Sequence, residues 1–484
     1  MANTGTVHTP QYIMKITLIF PPSIYQTKQK MPPLGIAFLA AVLRENGYSN
    51  VSIIDSMAYD YTLEQIVDLL KKDPPDIVGI SFGTQIRFSA FNLARLIKKS
   101  FPKIIIVAGG PHPTLTPEDT LKHIPQIDII VRGEGEISFL NLVKAIEAKQ
   151  DLKEVKGISF RDKKKNIVHS PAEEPIADLD VLPLPARDLM PIEAYNQKTY
   201  RSKTRCINMI TSRGCPYHCV YCSTSTQWGH HIRHRSPENV VNEMEHILKT
   251  YPFIKGFRFF DDVFTMDKQR VLDICNLILE RGLNVAWECE VRANTVNQEI
   301  MEAMKKAGCE FVDLGIESGS NQILKNIRKA ITVDMAIKAA KTIKQAGIDL
   351  KGFLMHALPG ETYQDIKKTV FLSRYLLYKL KIDGTTQSIA VIYPGTELEK
   401  IAKEIGTLPQ NFSWAKYWER KESYPPLSPC IHMPIFEQPN LSYKQVFQYV
   451  RRAKIVYYLT HPQYIALTLI RHRKTIKKWL KTKT

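Results

Sequence analysis

Cysteine is scarce in this 484-residue chain, with eight residues in all and none before Cys206. So few, and so unevenly spread, exclude the disulfide framework of a small secreted domain and suit a reducing, cytoplasmic setting in which clustered thiolates bind metal. Long hydrophobic runs are lacking too. No stretch approaches the roughly 18 apolar residues of a spanning helix, and residues 1–11 have no apolar core of the kind a cleavable leader needs. Acidic residues are absent from 439–484, where eleven lysines and arginines stand. Of the net charge of +18, only +7 then remains for everything upstream. The basicity is a property of the tail, and no nucleic-acid partner is expected. Internal repeats and low-complexity tracts are missing, and the length calls for two or three domains, each with its own core.

What is present begins with an alternation. The runs KITLIFPP (15–22), VSIID (51–55), DIVGIS (76–81), KIIIVAGG (103–110) and IDIIVRGEGE (127–136) read as strands, with amphipathic helices near 34–46, 62–72, 87–100 and 137–149. Such strands, buried on both faces, predict a doubly wound parallel, Rossmann-like sheet over residues 12–150. Ligands of such sheets sit at the carboxyl ends of the strands. Those ends here are PPLG (32–35), SFGT (81–84), GGPHPT (109–114) and RGEGE (132–136). Residues 151–200, with five prolines between 170 and 191, read as a linker. The alternation restarts with INMITS (207–212), GFRFFDD (256–262), NVAWECEV (284–291), FVDLGIE (311–317), DLKGFLMH (349–356) and GTTQSIAV (384–391). Six strands predict a partial (β/α)6 barrel over 201–405. From 406–484 the alternation stops, and a helical, basic region is expected, with helices over 446–459 and 462–480.

The first barrel strand runs into RGCPYHCVYC, which holds Cys215, Cys219 and Cys222. A structural zinc site wants four ligands, but the next cysteine, Cys275, falls in mid-helix and His218 is awkwardly placed. A purely electron-transferring cluster is a further alternative. A four-iron cluster with one iron left open explains the missing fourth ligand, because the open iron takes an outside chelator.

This spacing at the end of a first barrel strand resembles the radical S-adenosylmethionine superfamily. The resemblance implies a 4Fe-4S cluster on the three cysteines, with S-adenosylmethionine chelating the open iron and reductive cleavage giving a 5′-deoxyadenosyl radical. An external donor of flavodoxin or ferredoxin type would supply the electron. Tyr221 matches the aromatic that packs by the adenine; covering the loop is its other reading. Asp261 and Asp262 match polar groups that hold the methionyl ammonium, and helix capping is the alternative. LGIESGS (314–320) carries over Glu317 and Ser318 as cofactor contacts, with Arg292 and Glu290 reaching the ribose or carboxylate. ALPGET (357–362) and YPGTEL (393–398) resemble later turns, although Ala330 and Ala357 stand where relatives commonly have glycine. Cys206, Cys275, Cys289, Cys309 and Cys430 read as core thiols.

The front module resembles the cobalamin-binding subclass of that superfamily, of the hopanoid and tetrapyrrole type, which includes both methylases and cyclases. The resemblance implies that Pro33, Gly35, Ser81, Gly83, Thr84, Gly109, Gly110, His112, Gly133 and Glu134 line a corrin site facing the barrel mouth. No D-x-H-x-x-G motif is present, so no histidine is set to replace the lower base of the cobalt, and His112 also reads as a turn residue bonded to backbone. The activity implied is modification of an unactivated carbon, C-methylation of a small apolar substrate first. A ring-forming or oxidative reaction on a tetrapyrrole or isoprenoid lipid is the alternative, and methylthiotransferase-like RNA modification a second. The last would need an amino-terminal cysteine trio that is absent here. A cobalamin sensor or carrier would need no open-cornered cluster. The aromatic, cationic tail suits peripheral contact with the inner face of an acidic membrane, or else caps the barrel and ends in solvent.

Overall fold

The computed structural model describes residues 14–23, 30–419 and 432–462. Its first sheet is built from β1 (Ile16–Phe20), β2 (Val51–Asp55), β3 (Ile77–Ser81), β4 (Ile105–Gly109) and β5 (Ile129–Val131), all parallel. Their β-branched side chains are buried on both faces, by Leu34–Glu45 and Gly135–Glu147 on one side and Leu63–Lys72 and Arg87–Ser100 on the other.

The structure differs from the sequence reading just after this. Residues 158–169, assigned above to a linker, form a hairpin of β6 (Ile158–Arg161) and β7 (Ile167–His169). The hairpin extends the sheet antiparallel from β5, giving the order β2-β1-β3-β4-β5-β6-β7. A lysine-rich turn hides it in the sequence. Asp162 closes that turn by accepting from the backbone N–H of Lys164 and Asn166, each at 2.8 Å.

The second sheet is a six-stranded parallel partial barrel. Its strands are β8 (Cys206–Met209), β11 (Gly256–Phe259), β12 (Ala286–Arg292), β13 (Cys309–Glu317), β14 (Asp349–His356) and β15 (Gly384–Ile389), in the order β15-β14-β13-β12-β11-β8. A two-stranded ladder of β9 (Ser212–Arg213) and β10 (Arg233–His234) brackets the cysteine loop. Trp287, Cys289 and Val291 of β12 point out into the helical layer, so Glu288, Glu290 and Arg292 face the lumen.

Beyond β15, residues 406–419 and 432–442 are irregular, correcting the expectation of a helical region from 406 onward. Part of this segment pairs antiparallel with the chain just past β15: Ile392 N–H donates to Pro434 O at 2.9 Å and Phe436 N–H to Ala390 O at 3.0 Å. The one helix described there, Tyr443–Thr460, opens with a Ser442–Gln445 capping box and packs on Tyr363–Tyr378. Cys430 and the expected helix over 462–480, from residue 463 on, lie outside the described residues.

Ala330 and Ala357, the two departures noted in the sequence, adopt φ of 54° and 60°. These are left-handed conformations in which a Cβ costs about 1–2 kcal/mol. Ala357→Gly is therefore expected to raise stability by about 0.5–1 kcal/mol once the glycine's extra chain entropy is subtracted, read as a higher urea midpoint.

Candidate active site

The cysteine loop leaves β8 through a turn that only glycine fits. Gly214 has φ +93°, and a Cβ there would lie 2.3 Å from His231 O. Further on, Cys222 N–H bonds Cys219 O at 3.1 Å. Val220 is tied at both ends, its N–H to Ile327 O at 3.2 Å and its carbonyl to Leu398 N–H at 2.8 Å. The three thiols are free of disulfides and stand at the barrel mouth, half-buried. Burial pushes the Cys215 thiol up to about 11 and also raises Cys222, while a bond to Thr224 pulls Cys222 the other way. Such thiols stay protonated in a bare site and ionise when a metal supplies positive charge. Among the described residues no three such side chains converge on one point as the ligands of a single ion do. A cubane, whose corners lie apart, asks only for three thiols on one loop.

Beside the loop, Arg292 at the end of β12 is 4% exposed, with its guanidinium 3.6 Å from the Tyr217 ring centroid. Its Nη1 lies 3.8 Å from Cys219 Sγ, and its Nε and Nη2 have no hydrogen-bond partner. Two buried, unpartnered donors next to the thiols fit the carboxylate of an incoming ligand. Glu317 sits at φ +67° beside an irregularity in the β13–β14 register. There it accepts from Lys329 Nζ at 2.7 Å. Lys329 also bonds the Tyr221 hydroxyl at 3.3 Å, so the tyrosine is held by this pair from behind the loop. Burial, and then the Glu317 charge, hold the Tyr221 phenol well above its ordinary range.

Two of the expected cofactor contacts point elsewhere. Asp261 is buried and saturated, accepting from Thr211 N–H at 2.7 Å, Thr211 Oγ1 at 2.5 Å and Ser212 Oγ at 2.7 Å. It ties β11 to the turn after β8 instead of facing a ligand. Ser318 is likewise fully buried, its hydroxyl 3.2 Å from Thr369 Oγ1 and accepting from Ser320 N–H. Asp262 does open toward the site, and burial raises its carboxyl to about 6, with Thr224 opposing and the Asp261 charge assisting.

Glu290, on the lumen face of β12, is pushed up to about 7 by burial and then by the Asp313 carboxylate, against the pull of Arg258. Because its folded pKa exceeds the ordinary 4.5, the native state binds the extra proton between pH 4.5 and about 7. Its contribution to stability falls as pH rises through that window and is flat above it. Glu290→Gln should flatten this decline in the cofactor-free protein, as measured by thermal unfolding across the pH range.

Between the rim of the first sheet and the barrel mouth lies a cleft with about 1370 Å³ free of protein atoms, its solvent-open part included. Pro33, Gly35, Ser81, Gly109, Gly110 and Gly133 line it, joined by Phe38, Leu39 and Phe139 from the front half. Ile210, Trp228, Phe260 and Asp262 close it from the barrel. Gly110 has φ +92°, and a Cβ would meet Ser81 Oγ at 2.9 Å, so this rim is as thin as a backbone allows. At Gly35 and Gly133 an added Cβ would meet nothing. An apolar wall with bare backbone at its floor fits a large flat macrocycle.

Four other expected lining residues do not reach the cleft. Gly83 and Thr84 are not part of its wall, Thr84 being buried at the start of the turn Thr84–Ile86. His112 is fully buried, with Nδ1 3.2 Å from Thr84 Oγ1 and Nε2 3.3 Å from Thr116 Oγ1. Both ring nitrogens are engaged, and burial followed by the Arg87 charge keeps the ring neutral. Glu134 is consumed by arginines: it accepts from Arg213 Nη1 at 3.0 Å and also pairs with Arg233. Arg213 reaches Glu136 as well, at 2.5 Å, and its guanidinium lies 5.2 Å from the Trp228 ring. The charge network is buried and joins the two halves of the protein. Arg213, Arg233 and Lys329 were not singled out in the sequence. The only signal available was that Arg213 stands two residues before Cys215.

Comparison with known proteins agrees with this geometry. Residues 209–372 match the radical SAM superfamily, and residues 24–143 match the B12 binding domain. An uncharacterized methyltransferase, PH0819, of Pyrococcus horikoshii is 35% identical over 96% of this chain and 97% of its own. An anaerobic magnesium-protoporphyrin IX monomethyl ester cyclase of Rubrivivax gelatinosus is 29% identical over 80% of this chain and 68% of its own. The fold superposes on the cobalamin-dependent S-adenosylmethionine radical enzyme OxsB with a TM-score of 0.74, at 19% identity, over 97% of this chain and 71% of that one. The chain belongs to the cobalamin-binding branch of the radical S-adenosylmethionine superfamily, whose cofactors are a 4Fe-4S cluster, S-adenosylmethionine and cobalamin.

Proposed function

We propose that the protein C-methylates an unactivated carbon of a small apolar substrate, a lipid or isoprenoid. The observation that carries this reading is the single apolar cleft shared by the glycine rim and the cysteine-bearing barrel mouth. The cofactors, when bound, supply one-electron cleavage of the sulfonium and a methyl group for transfer, with an external flavodoxin or ferredoxin as electron source. The chain supplies placement. Cys215, Cys219 and Cys222 would hold three irons, and the free donors of Arg292 an anionic cofactor group. Lys329 and Glu317 fix Tyr221 against the loop. Phe38, Trp228 and Phe260 give the space between the two cofactor sites an apolar lining.

The likeness to the cyclase of Rubrivivax gelatinosus favours a second reading, ring formation or oxidation without methyl transfer. One experiment separates them. Lipid and metabolite extracts of a deletion strain are incubated anaerobically with the reconstituted enzyme, a reductant and methyl-deuterated S-adenosylmethionine. Label in a product one methylene heavier than its precursor supports methylation, whereas an unlabelled product that has lost hydrogen supports the cyclase reading.

Contact with an acidic membrane is part of the proposal, since it would bring the enzyme to such a substrate. No helix among the described residues is long and apolar enough to cross a membrane. The basic stretch 471–484 lies outside the described residues.

A further inference from the structure

We infer that the outward face of the helix Tyr443–Thr460 is a docking surface for an acidic lipid bilayer. The inference deepens the membrane contact proposed above and rests on it. It locates that contact on the folded body, upstream of the basic tail.

The helix has two unlike faces. Tyr443, Val446, Val450, Ala453 and Tyr457 form one stripe and are buried in a cluster with Ile366 and Val370 of the helix Tyr363–Tyr378. Turned away from that contact, Phe447, Arg451, Ile455 and Leu459 follow one another at four-residue steps, and Arg452 flanks them with its guanidinium 5.3 Å from the Tyr363 ring at the border of the packed face. The three apolar members are 40%, 52% and 74% exposed, respectively. A face evolved only for solvation accounts for the arginines but not for a ridge of large apolar side chains between them. Side chains that dip below the headgroups, flanked by cations that meet lipid phosphates, account for both.

Charge complementarity identifies the partner. No Asp or Glu occurs anywhere in 439–484, so nothing contributed by this segment repels an anionic surface. RNA would use the same cations but would pair them with a run of stacking aromatic rings, whereas the ridge has one aromatic member, Phe447, and its more exposed members, Ile455 and Leu459, are aliphatic. The ridge also stands apart from the cleft and the cysteine loop, on the outer layer of the barrel, so docking leaves the reactive face free.

The test uses the full-length reconstituted enzyme and vesicles of phosphatidylcholine alone or mixed with phosphatidylglycerol, read by co-sedimentation. The parent protein should bind the mixed vesicles and not the neutral ones. Arg451→Gln with Arg452→Gln should weaken binding about thirtyfold at low salt. Ile455→Ser with Leu459→Ser should weaken it about tenfold with little change in its salt dependence. All these positions are exposed and apart from the cleft, so both variants should keep the parent's formation of 5′-deoxyadenosine in solution. The Ile455/Leu459 variant should also keep its unfolding midpoint, and the arginine variant should fall slightly below it through loss of the Arg452 contact with Tyr363. Variants that bind mixed vesicles like the parent, or a parent that binds neither vesicle, would overturn the inference. Binding of single-stranded RNA without vesicle binding would do so too, as would a dimer in solution lost in the Ile455/Leu459 variant. Vesicle binding is scored apart from the labelled-methyl experiment, so failure of one leaves the result of the other standing.

Discussion

Replacing any one of Cys215, Cys219 and Cys222 by alanine is expected to leave the fold intact and abolish S-adenosylmethionine cleavage. The fold survives because these thiols hold little together. Cys219 Sγ, for example, has only two long polar contacts among the described residues, to Arg328 O at 3.9 Å and Arg292 Nη1 at 3.8 Å, and the loop is anchored through the backbone of Val220. Chemistry fails because, among the described residues, no other cysteine lies at the loop. The rings of His218 and His230 lie tilted against one another with centroids 3.9 Å apart, and Cys206, Cys275, Cys289 and Cys309 are buried. Changes around a metal's ligands alone typically cost about 10–100-fold in affinity or activity, so loss of a ligand should exceed about a hundredfold. Iron and sulfide analysis after anaerobic reconstitution checks the first half of this expectation, and 5′-deoxyadenosine formation the second. A variant that kept four irons and full cleavage would remove the loop from the active site.

The second large effect is expected at Arg213. Its guanidinium is buried between Glu134 and Glu136 of the front half, so Arg213→Met strands carboxylates away from water at a cost of about 3–5 kcal/mol. Glu134 keeps Arg233 as a partner, whereas Arg213 is the only ion-pair partner of Glu136 among the described residues. The double variant Arg213→Met with Glu136→Met should therefore recover most of the lost stability, because an apolar pair can replace a buried ion pair at little cost. Urea midpoints of parent, single and double variants test this. Since Arg213 and Glu136 both line the cleft, the single variant should also retain less cobalamin after gel filtration.

Much of this architecture was legible in the sequence, for physical reasons. Parallel strands buried on both faces write themselves as apolar runs, and the five parallel strands of the front sheet were found that way. The six barrel strands, with polar residues facing the lumen, were found by their regular spacing between helical segments. The hairpin β6–β7 escaped because it is short, half-exposed and divided by three lysines. The cysteine loop was legible because ligand spacing is local. Asp261, Ser318 and His112 were not, because what decides their role is which neighbour takes their lone pairs, and those neighbours, Thr211, Thr369 and Thr116, are fixed only by the fold. The buried ion pairs were invisible for the same reason, as Arg213 and Glu136 are 77 positions apart.

Among the features of the barrel mouth, the double tether of Val220 reaches furthest. A six-stranded barrel does not close, and the carbonyl of Val220, accepting from Leu398 N–H, bridges the gap between the turn after the first strand and the helix that follows the last. Breathing across such a seam takes far less free energy than unfolding a sheet. The rate at which dissolved oxygen reaches the thiols should thus follow the opening of that gap, and a preparation that looks fully folded on warming will already be losing its redox centre.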